Sequence, residues 1–466
     1  MPSLAEGLGP APESAARVAG WLRRRGVRHG DVVSWQLPNQ PDAVLLYRAC
    51  WQLGAIAAPV HHRAAGPDVD AALEQVQPAV KLAAGGTALA ERPGTVVMAP
   101  EPPWAASRPV SVQAAKPADL AVVLFTAGSS GRPKAVLHTH RGLLGKARTM
   151  VRIHGLGPTD AVLMPAPLAH ISGLLNGVLV PAAARMRSVL MAAWDPESAL
   201  ALIERERITF MIGPPTFFVS LMAAPGFTTG RVASLRLVSS GGAGVTPAFV
   251  DDASRRLGCA VKRTYGSTEA PTVTTSAAGD PPERARNTDG RPTDDVDLRV
   301  VDAATGHAIS PPGTGELWVR GPELFAGYVD GEATRASFAR GGWFRTGDLG
   351  HLDAAGWLTI VGRLKDVIIR GGENISAAEI EAVLEAHPGV RQAVAVGYPD
   401  DRMGERVCAF VVASEPFDLE ASRTWCAERQ LTRFKWPERV VQLEQLPLLA
   451  AGKVDRNELR RRAAGP

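Results

Sequence analysis

The chain has 466 residues, too many for one hydrophobic core of ordinary size, so two or more domains are expected. Hydrophobic residues make up 45% and charged residues 21%, the balance of a folded globular chain rather than a disordered one. A formal charge of +4 over this length, with no basic stripe carrying interleaved aromatics, argues against nucleic-acid binding. The four cysteines, Cys50, Cys259, Cys408 and Cys426, make no CxxC pair and no zinc spacing, which reads as reduced thiols. The first twenty residues lack a cationic segment followed by an apolar one, and no run of about 18 residues is apolar and uncharged. A cytoplasmic protein with no membrane segment is the expectation.

In chain order, Ala15, Val18, Ala19 and Leu22 recur at helical spacing. DVVSWQLPN reads as a strand, PDAVLLYRACWQLG as a helix, and AIAAPV as a second strand. The Pro-rich stretch 77–118 reads as irregular surface structure. AVVLFT (121–126), RITFMIG (207–213), SLRLVSS (234–240) and VKRTYG (261–266) read as buried strands, each closing in a loop rich in Gly, Ser or Thr. Helices are predicted at PTFFVSLM and around Val250, Ala253 and Leu257. This alternation predicts an α/β domain of sheets flanked by helices, with ligands collecting at the carboxyl ends of the strands. After about residue 290 the texture turns to short antiparallel strands, including a pair around Asp353–Gly356. The last hundred residues read as a small α+β domain. It opens on a capping box of Ser376 and Glu379 before a helix that puts Ile380, Val383 and Leu384 on one face.

Residues 125–135 read Phe-Thr-Ala-Gly-Ser-Ser-Gly-Arg-Pro-Lys-Ala. Gly128 and Gly131 let the backbone turn tightly, Thr126, Ser129 and Ser130 offer hydroxyls, and Lys134 adds a positive charge, which together suit a polyphosphate. The spacing is not that of a Walker A loop, and by composition alone the run reads equally as a polar turn between two strands.

At this loop the chain resembles the ANL superfamily of adenylating enzymes: acyl-CoA synthetases, the adenylation domains of nonribosomal peptide synthetases, and luciferases. Ala127, Ser129, Ser130 and Ala135 depart from that family's loop, though hydroxyls persist at 129 and 130. Further motifs follow in the family's order. The resemblance gives Tyr265, Gly266, Ser267 and Thr268 contacts to ATP, with Tyr265 against the adenine and Thr268 on the α-phosphate, and makes Glu269 the residue that holds Mg²⁺. Gly241, Gly242 and Ala243 border the adenine and the acyl group. His170 gates the acyl pocket, where Ile171, Gly241 and Gly244 leave room for an aromatic, alicyclic or medium-chain acid. Asp348 receives the ribose hydroxyls and Arg363 contacts ribose or phosphate. Lys365 is the pivot of a hinge at 363–366, between an ATP- and acyl-binding domain at 1–362 and a mobile domain at 367–466. Gly371, Gly372, Glu373 and Asn374 form the loop on the thiol side, and Lys453 is the catalytic lysine of adenylation. His138 and His140 are read as structural, and His61 and His62 lie far from any motif in the sequence.

The function so implied is ATP-dependent activation of a carboxylic acid to acyl-AMP, followed by transfer to coenzyme A. The enzyme would be a monomer or a homodimer. Two alternatives share parts of this reading: an enzyme that loads the phosphopantetheine thiol of a carrier protein, and a catalytically weak relative that only binds nucleotide. Family members usually carry a longer segment before the region matching 14–60, so the N-terminal packing is expected to differ.

Overall fold

The computed structural model describes residues 2–465 except 10, 111, 113–114, 127–131 and 449–453. The chain divides into two compact units: Met1–Val245 with Val250–Asp297 and Val319–Phe344, and Thr246–Phe249 with Leu298–Trp318 and Arg345–Pro466. The short strands after residue 297 are therefore grouped largely with the C-terminal segment.

The larger unit is built on two seven-stranded sheets. The first takes β1 (Val32–Gln36), β2 (Ile56–Pro59), β3 (Val80–Ala83), β4 (Thr95–Val97), β5 (Leu120–Thr126) and β6 (Lys134–Thr139), with a short strand Gly327–Tyr328 outside β6. Strands β1 to β5 are parallel to their neighbours, and β6 returns antiparallel to β5. The second sheet takes β7 (Ala161–Met164), β8 (Arg187–Leu190), β9 (Phe210–Gly213), β10 (Leu237–Gly241) and β11 (Ala260–Tyr265), all parallel, then two short antiparallel strands, β12 (Thr274–Thr275) and β13 (Arg291–Pro292). The stretch 77–118 is thus not wholly irregular, because β3 and β4 extend the first sheet. Val80 and Leu82 are buried against the core, a signal that the surrounding prolines hide in the sequence. The strand expected from 207 begins only at Phe210, because Arg207 takes the left-handed conformation (φ 52°) that ends the preceding helix.

Helix Glu13–Arg24 buries Ala15, Val18, Ala19 and Leu22, the positions its spacing selects. Helix Pro41–Leu53 starts on a proline, whose fixed φ suits the first turn, and stops at Gly54 with φ 68°. It brings Tyr47 and Trp51 against Trp35 of β1 in one buried aromatic cluster. This helix also ties the sheets together: the Tyr47 hydroxyl donates to the Leu168 carbonyl at 2.7 Å, beyond β7. Just before it, the Asn39 amide donates to the Ala166 carbonyl at 2.8 Å and accepts from the Leu168 amide at 2.8 Å.

In the smaller unit, strands Asp297–Val301, Gly313–Arg320, Trp343–Leu352 and Leu358–Arg363 lie side by side in that order, the last two antiparallel across the predicted turn at 353–356. A five-stranded sheet follows, with the long antiparallel pair Val390–Asp400 and Gly404–Ala413 at its centre. Alternation along that pair sends Ala393, Ala395, Ala409 and Val411 to one face, under Ile380 and Leu384, and Val394, Val396, Cys408 and Phe410 to the other, under Leu459 and Ala463. Only half of the predicted capping box forms. Ser376 Oγ accepts from the Glu379 amide at 3.3 Å, but the Glu379 carboxylate bridges to Lys435 at 2.8 Å.

One buried ion pair stands out in the larger unit. Lys146 and Glu323, 1% and 3% exposed, meet at 2.5 Å. Lys146 Nζ also donates to the Thr293 hydroxyl at 2.8 Å and the Thr272 carbonyl at 3.0 Å. Removing one member leaves the other buried and uncompensated. Lys146→Ala should therefore lower unfolding stability by about 3–5 kcal/mol, while Lys146→Met with Glu323→Leu should cost markedly less, as read by urea denaturation.

Candidate active site

The parallel strands deliver their carboxyl ends to loops that carry the motif residues of the larger unit. Thr126 ends β5 and stands opposite Lys134, which opens β6. Gly128, Ser129, Ser130 and Gly131 lie outside the described residues. β10 ends at Gly241, where a Cβ would come within 2.2 Å of the Thr264 carbonyl of β11. β11 ends at Tyr265, and at Gly266 a Cβ would strike the Thr272 amide at 2.4 Å. Glycine at both positions is a packing requirement as well as a motif feature.

The turn 265–272 is held from several sides. The Ser267 amide donates to the Ala270 carbonyl at 2.9 Å, and Ser267 Oγ accepts from the Ala270 amide at 3.1 Å. His138 Nε2 donates to the Thr268 carbonyl at 2.8 Å. The Phe325 amide donates to the Glu269 carbonyl at 2.8 Å. Lys146 reaches the Thr272 carbonyl, and Thr272 itself sits at φ 42°. His138, read from sequence as purely structural, is indeed fully buried, but its ring fastens the backbone of Thr268. Burial pushes its pKa down to about 4, so it stays neutral and keeps its proton on Nε2 for this bond. His140, also buried, accepts the Leu4 amide on Nδ1 at 3.3 Å.

Tyr328 is the residue that sequence reasoning missed. Its hydroxyl donates to Glu269 Oε1 at 2.9 Å, and its ring lies 5.0 Å beneath the Lys134 ammonium. One side chain thus touches the proposed metal-holding carboxylate and a proposed phosphate-binding lysine. Burial, then the Glu269 charge, holds the phenol well above its ordinary pKa, so it remains a donor. The signal was present as Gly327-Tyr328 in a stretch with strand character, but only the pairing of that stretch with β6 brings it here.

A second omission is more consequential. His61 and His62 lie far from the motifs in sequence, yet the His61 ring is 5.0 Å from that of His170 and stacks on His62 at 4.7 Å. β2 ends just before His61, while His170 follows β7 and precedes helix Ile171–Leu174. The sheets, not the sequence, bring them together.

In the smaller unit Asp348, 4% exposed, accepts from Arg363 Nε at 2.7 Å, and the two face each other across paired strands. Gly347 at φ 70° makes the preceding turn, where the Thr346 hydroxyl donates to the Leu317 carbonyl at 2.7 Å. Lys365 has its pKa lowered by burial and then by Arg363. Its carbonyl and the Asp366 carboxylate accept from Arg460 at 3.4 and 2.5 Å. Gly371 and Gly372, at φ 58° and 89°, form a two-residue hairpin turn between Arg370 and Glu373, as a turn of this hand requires; Asn374 follows Glu373 in the same strand, opposite Ile369. Lys453 lies outside the described residues. The segment that carries it is bracketed by a bridge between Leu448 and Val454. Just beyond it, Arg456 pairs with Glu381 at 2.8 Å.

Among the described residues no three His, Cys, Asp or Glu side chains group as a metal cage, and no helix is long and apolar enough to cross a membrane. A single carboxylate fits Mg²⁺ bound chiefly through substrate phosphates and water, and Glu269, oriented through one oxygen by a neutral hydroxyl, is such a group.

Residues 11–329 match the family described as AMP-binding enzyme, and residues 379–453 match its C-terminal domain. The chain is 33% identical to the medium-chain fatty-acid–CoA ligase of Escherichia coli, over 96% of this chain and 84% of the relative. It is 32% identical to the indoleacetate–CoA ligase of Aromatoleum aromaticum, over 96% and 91%. Among solved structures, ATP-bound MatB from Rhodopseudomonas palustris superposes with a TM-score of 0.90 at 29% identity, covering 97% of this chain and 92% of that one. These matches bear out the expected fold of a large sheet-based N-terminal domain and a smaller C-terminal one.

Tyr328→Phe keeps the ring under Lys134 and removes the bond to Glu269. It should lower kcat/KM for Mg·ATP about tenfold with little change in thermal midpoint, measured by steady-state pyrophosphate release.

Proposed function

The chain belongs to the AMP-binding enzyme family and is an AMP-forming acid–thiol ligase, and on that premise we propose how its own residues divide the work. The enzyme activates a carboxylic acid with ATP to an acyl-AMP, releases pyrophosphate, and transfers the acyl group to coenzyme A with release of AMP. The observation that carries our assignment of roles is the braced turn at 265–272. It fixes the backbone that carries the Thr268 and Glu269 side chains, and Tyr328 orients one oxygen of Glu269.

In the first half-reaction the substrate carboxylate attacks the α-phosphorus and pyrophosphate leaves in line. Thr268 bonds the α-phosphate, while Thr126, Ser129, Ser130 and Lys134 hold the outer phosphates with the amides of Gly128 and Gly131. Tyr265 lies against the adenine, bordered by Gly241, Gly242 and Ala243. Glu269 holds Mg²⁺, which when bound neutralises phosphate charge. Asp348 and Arg363 receive the ribose: the carboxylate is buried and its orientation is fixed by the guanidinium opposite it. Lys453 neutralises the charge that builds on the reacting oxygens.

In the second half-reaction a hinge at 363–366 turns about Lys365. This withdraws Lys453 and brings the Gly371–Asn374 turn to the thiol. His170 gates the acyl pocket. Small residues at 241 and 244 leave room for an aromatic, alicyclic or medium-chain acid.

A second acceptor deserves a test. The chain is 33% identical to pyochelin synthase PchD of Pseudomonas aeruginosa over 96% of its length, which keeps a carrier-protein thiol in view. Incubation with acid, ATP and coenzyme A separates the two, since the thioester of free coenzyme A forms only in the first case.

Lys453→Ala should abolish acid-dependent pyrophosphate release by at least about a hundredfold, while thioester formation from supplied acyl-AMP and coenzyme A survives. Equal loss of both half-reactions would contradict the division of labour.

A further inference from the structure

The three histidines His62, His61 and His170 form a continuous stack, with ring centroids 4.7 and 5.0 Å apart. The backbone beneath this stack is fixed. The Gln36 amide donates to the carbonyls of His61 and Ala64, both at 3.0 Å, and accepts from the Leu89 amide at 2.7 Å. The opposite side, the loop leading to His170, is pinned by Asn39 and Tyr47. Both walls are therefore held by bonds from the first sheet and its helix, and the central ring has little freedom to turn away.

His61 is the chemically informative member. Its Nδ1 accepts the Arg63 amide at 3.0 Å, so a neutral ring carries its proton on Nε2. Burial, with His170, His62 and Arg63 as lesser contributors, pushes the pKa of this ring down to about 3, so it is neutral at physiological pH. Nε2 is buried and has no partner among the described residues. A buried N–H donor without an acceptor is costly, and proteins seldom retain one without use. His154 and His140 also carry buried ring nitrogens without partners among the described residues, but His154 packs on Phe210 and His140 lies against Leu4 at the start of the chain, neither of them in contact with His170.

We propose that His61 Nε2–H is a specificity donor of the acyl site, receiving an oxygen acceptor in the acyl part of the substrate, beyond its reacting carboxylate. The preferred acids are accordingly oxygenated ones, bearing a hydroxyl, carbonyl or ether oxygen, rather than plain hydrocarbon acids of the same length. His62 backs the ring and His170 faces it. The proposal rests on the assignment of His170 to the acyl pocket. A site that hydrogen-bonds a substrate oxygen discriminates strongly against the analogue lacking it, because the donor is then left buried and unmet.

The test is a panel of matched acids read by pyrophosphate release: octanoate against 8-hydroxyoctanoate, pentanoate against 4-oxopentanoate, and 3-phenylpropanoate against its 4-hydroxy derivative. For at least one pair, wild-type kcat/KM should favour the oxygenated acid by roughly tenfold or more. His61→Phe keeps an aromatic ring in the stack and removes the donor, and should bring that ratio close to one. His61→Gln, which keeps an N–H donor and removes the ring, should retain part of the preference, and a variant whose thermal midpoint has collapsed is replaced by the other. A wild-type ratio near one for every pair, or a preference that His61→Phe leaves intact, would overturn the proposal. Absence of pyrophosphate release with every acid would overturn the adenylation reading as well, so the two failures are told apart.

Discussion

On the roles we propose, the turn from Tyr265 to Thr272 is the fixed point on which the larger unit's chemistry depends. Its backbone is fastened by a histidine, a main-chain amide and a buried lysine, all distant from it in the chain: His138 on β6, Lys146 on the helix that follows, and Phe325 beside the short outer strand. Phosphoryl chemistry of this kind needs little covalent participation from the protein. It needs charges and donors held where charge will develop, without having to reorganise at the moment of reaction. A strand end alone would not provide that. The neighbouring elements engage the carbonyls of Thr268, Glu269 and Thr272 and orient one oxygen of Glu269.

The same economy of arrangement recurs in the smaller unit. Asp348 and Arg363 face each other across paired strands, so the carboxylate is buried and aimed at once. The helix Arg456–Ala464 carries two cationic anchors, Arg456 to Glu381 and Arg460 to Asp366, just beyond the segment that bears Lys453. Burial dominates Glu381 and raises its pKa despite the arginine beside it, as expected where desolvation and pairing compete.

Much of this was legible in the sequence. Where one periodicity dominated, as in Glu13–Arg24 or the strand ending at Thr126, residue pattern and structure agree because burial of the apolar face decides the element. The motif runs that begin at Gly241 and Tyr265 follow directly on strand ends, as the sequence pattern predicts. Apart from the strand start at Phe210, set locally by Arg207, what escaped is made by contact between segments distant in the chain. β3 and β4 gain their identity by pairing in a sheet, not from the Pro-rich stretch that surrounds them. Glu379 leaves its capping box for Lys435, 56 residues on. Tyr328 meets Glu269 only through strand pairing with β6, and His61 meets His170 only because two sheets share one core.

The most direct test of the central claim is acid-dependent ATP–pyrophosphate exchange as a function of Mg²⁺ concentration, in the native enzyme and in Glu269→Gln. The account predicts that exchange requires both the acid and Mg²⁺, and that the variant loses at least about a hundredfold in rate while keeping its fold. Exchange in Glu269→Gln at the native rate and with the native Mg²⁺ dependence would contradict it.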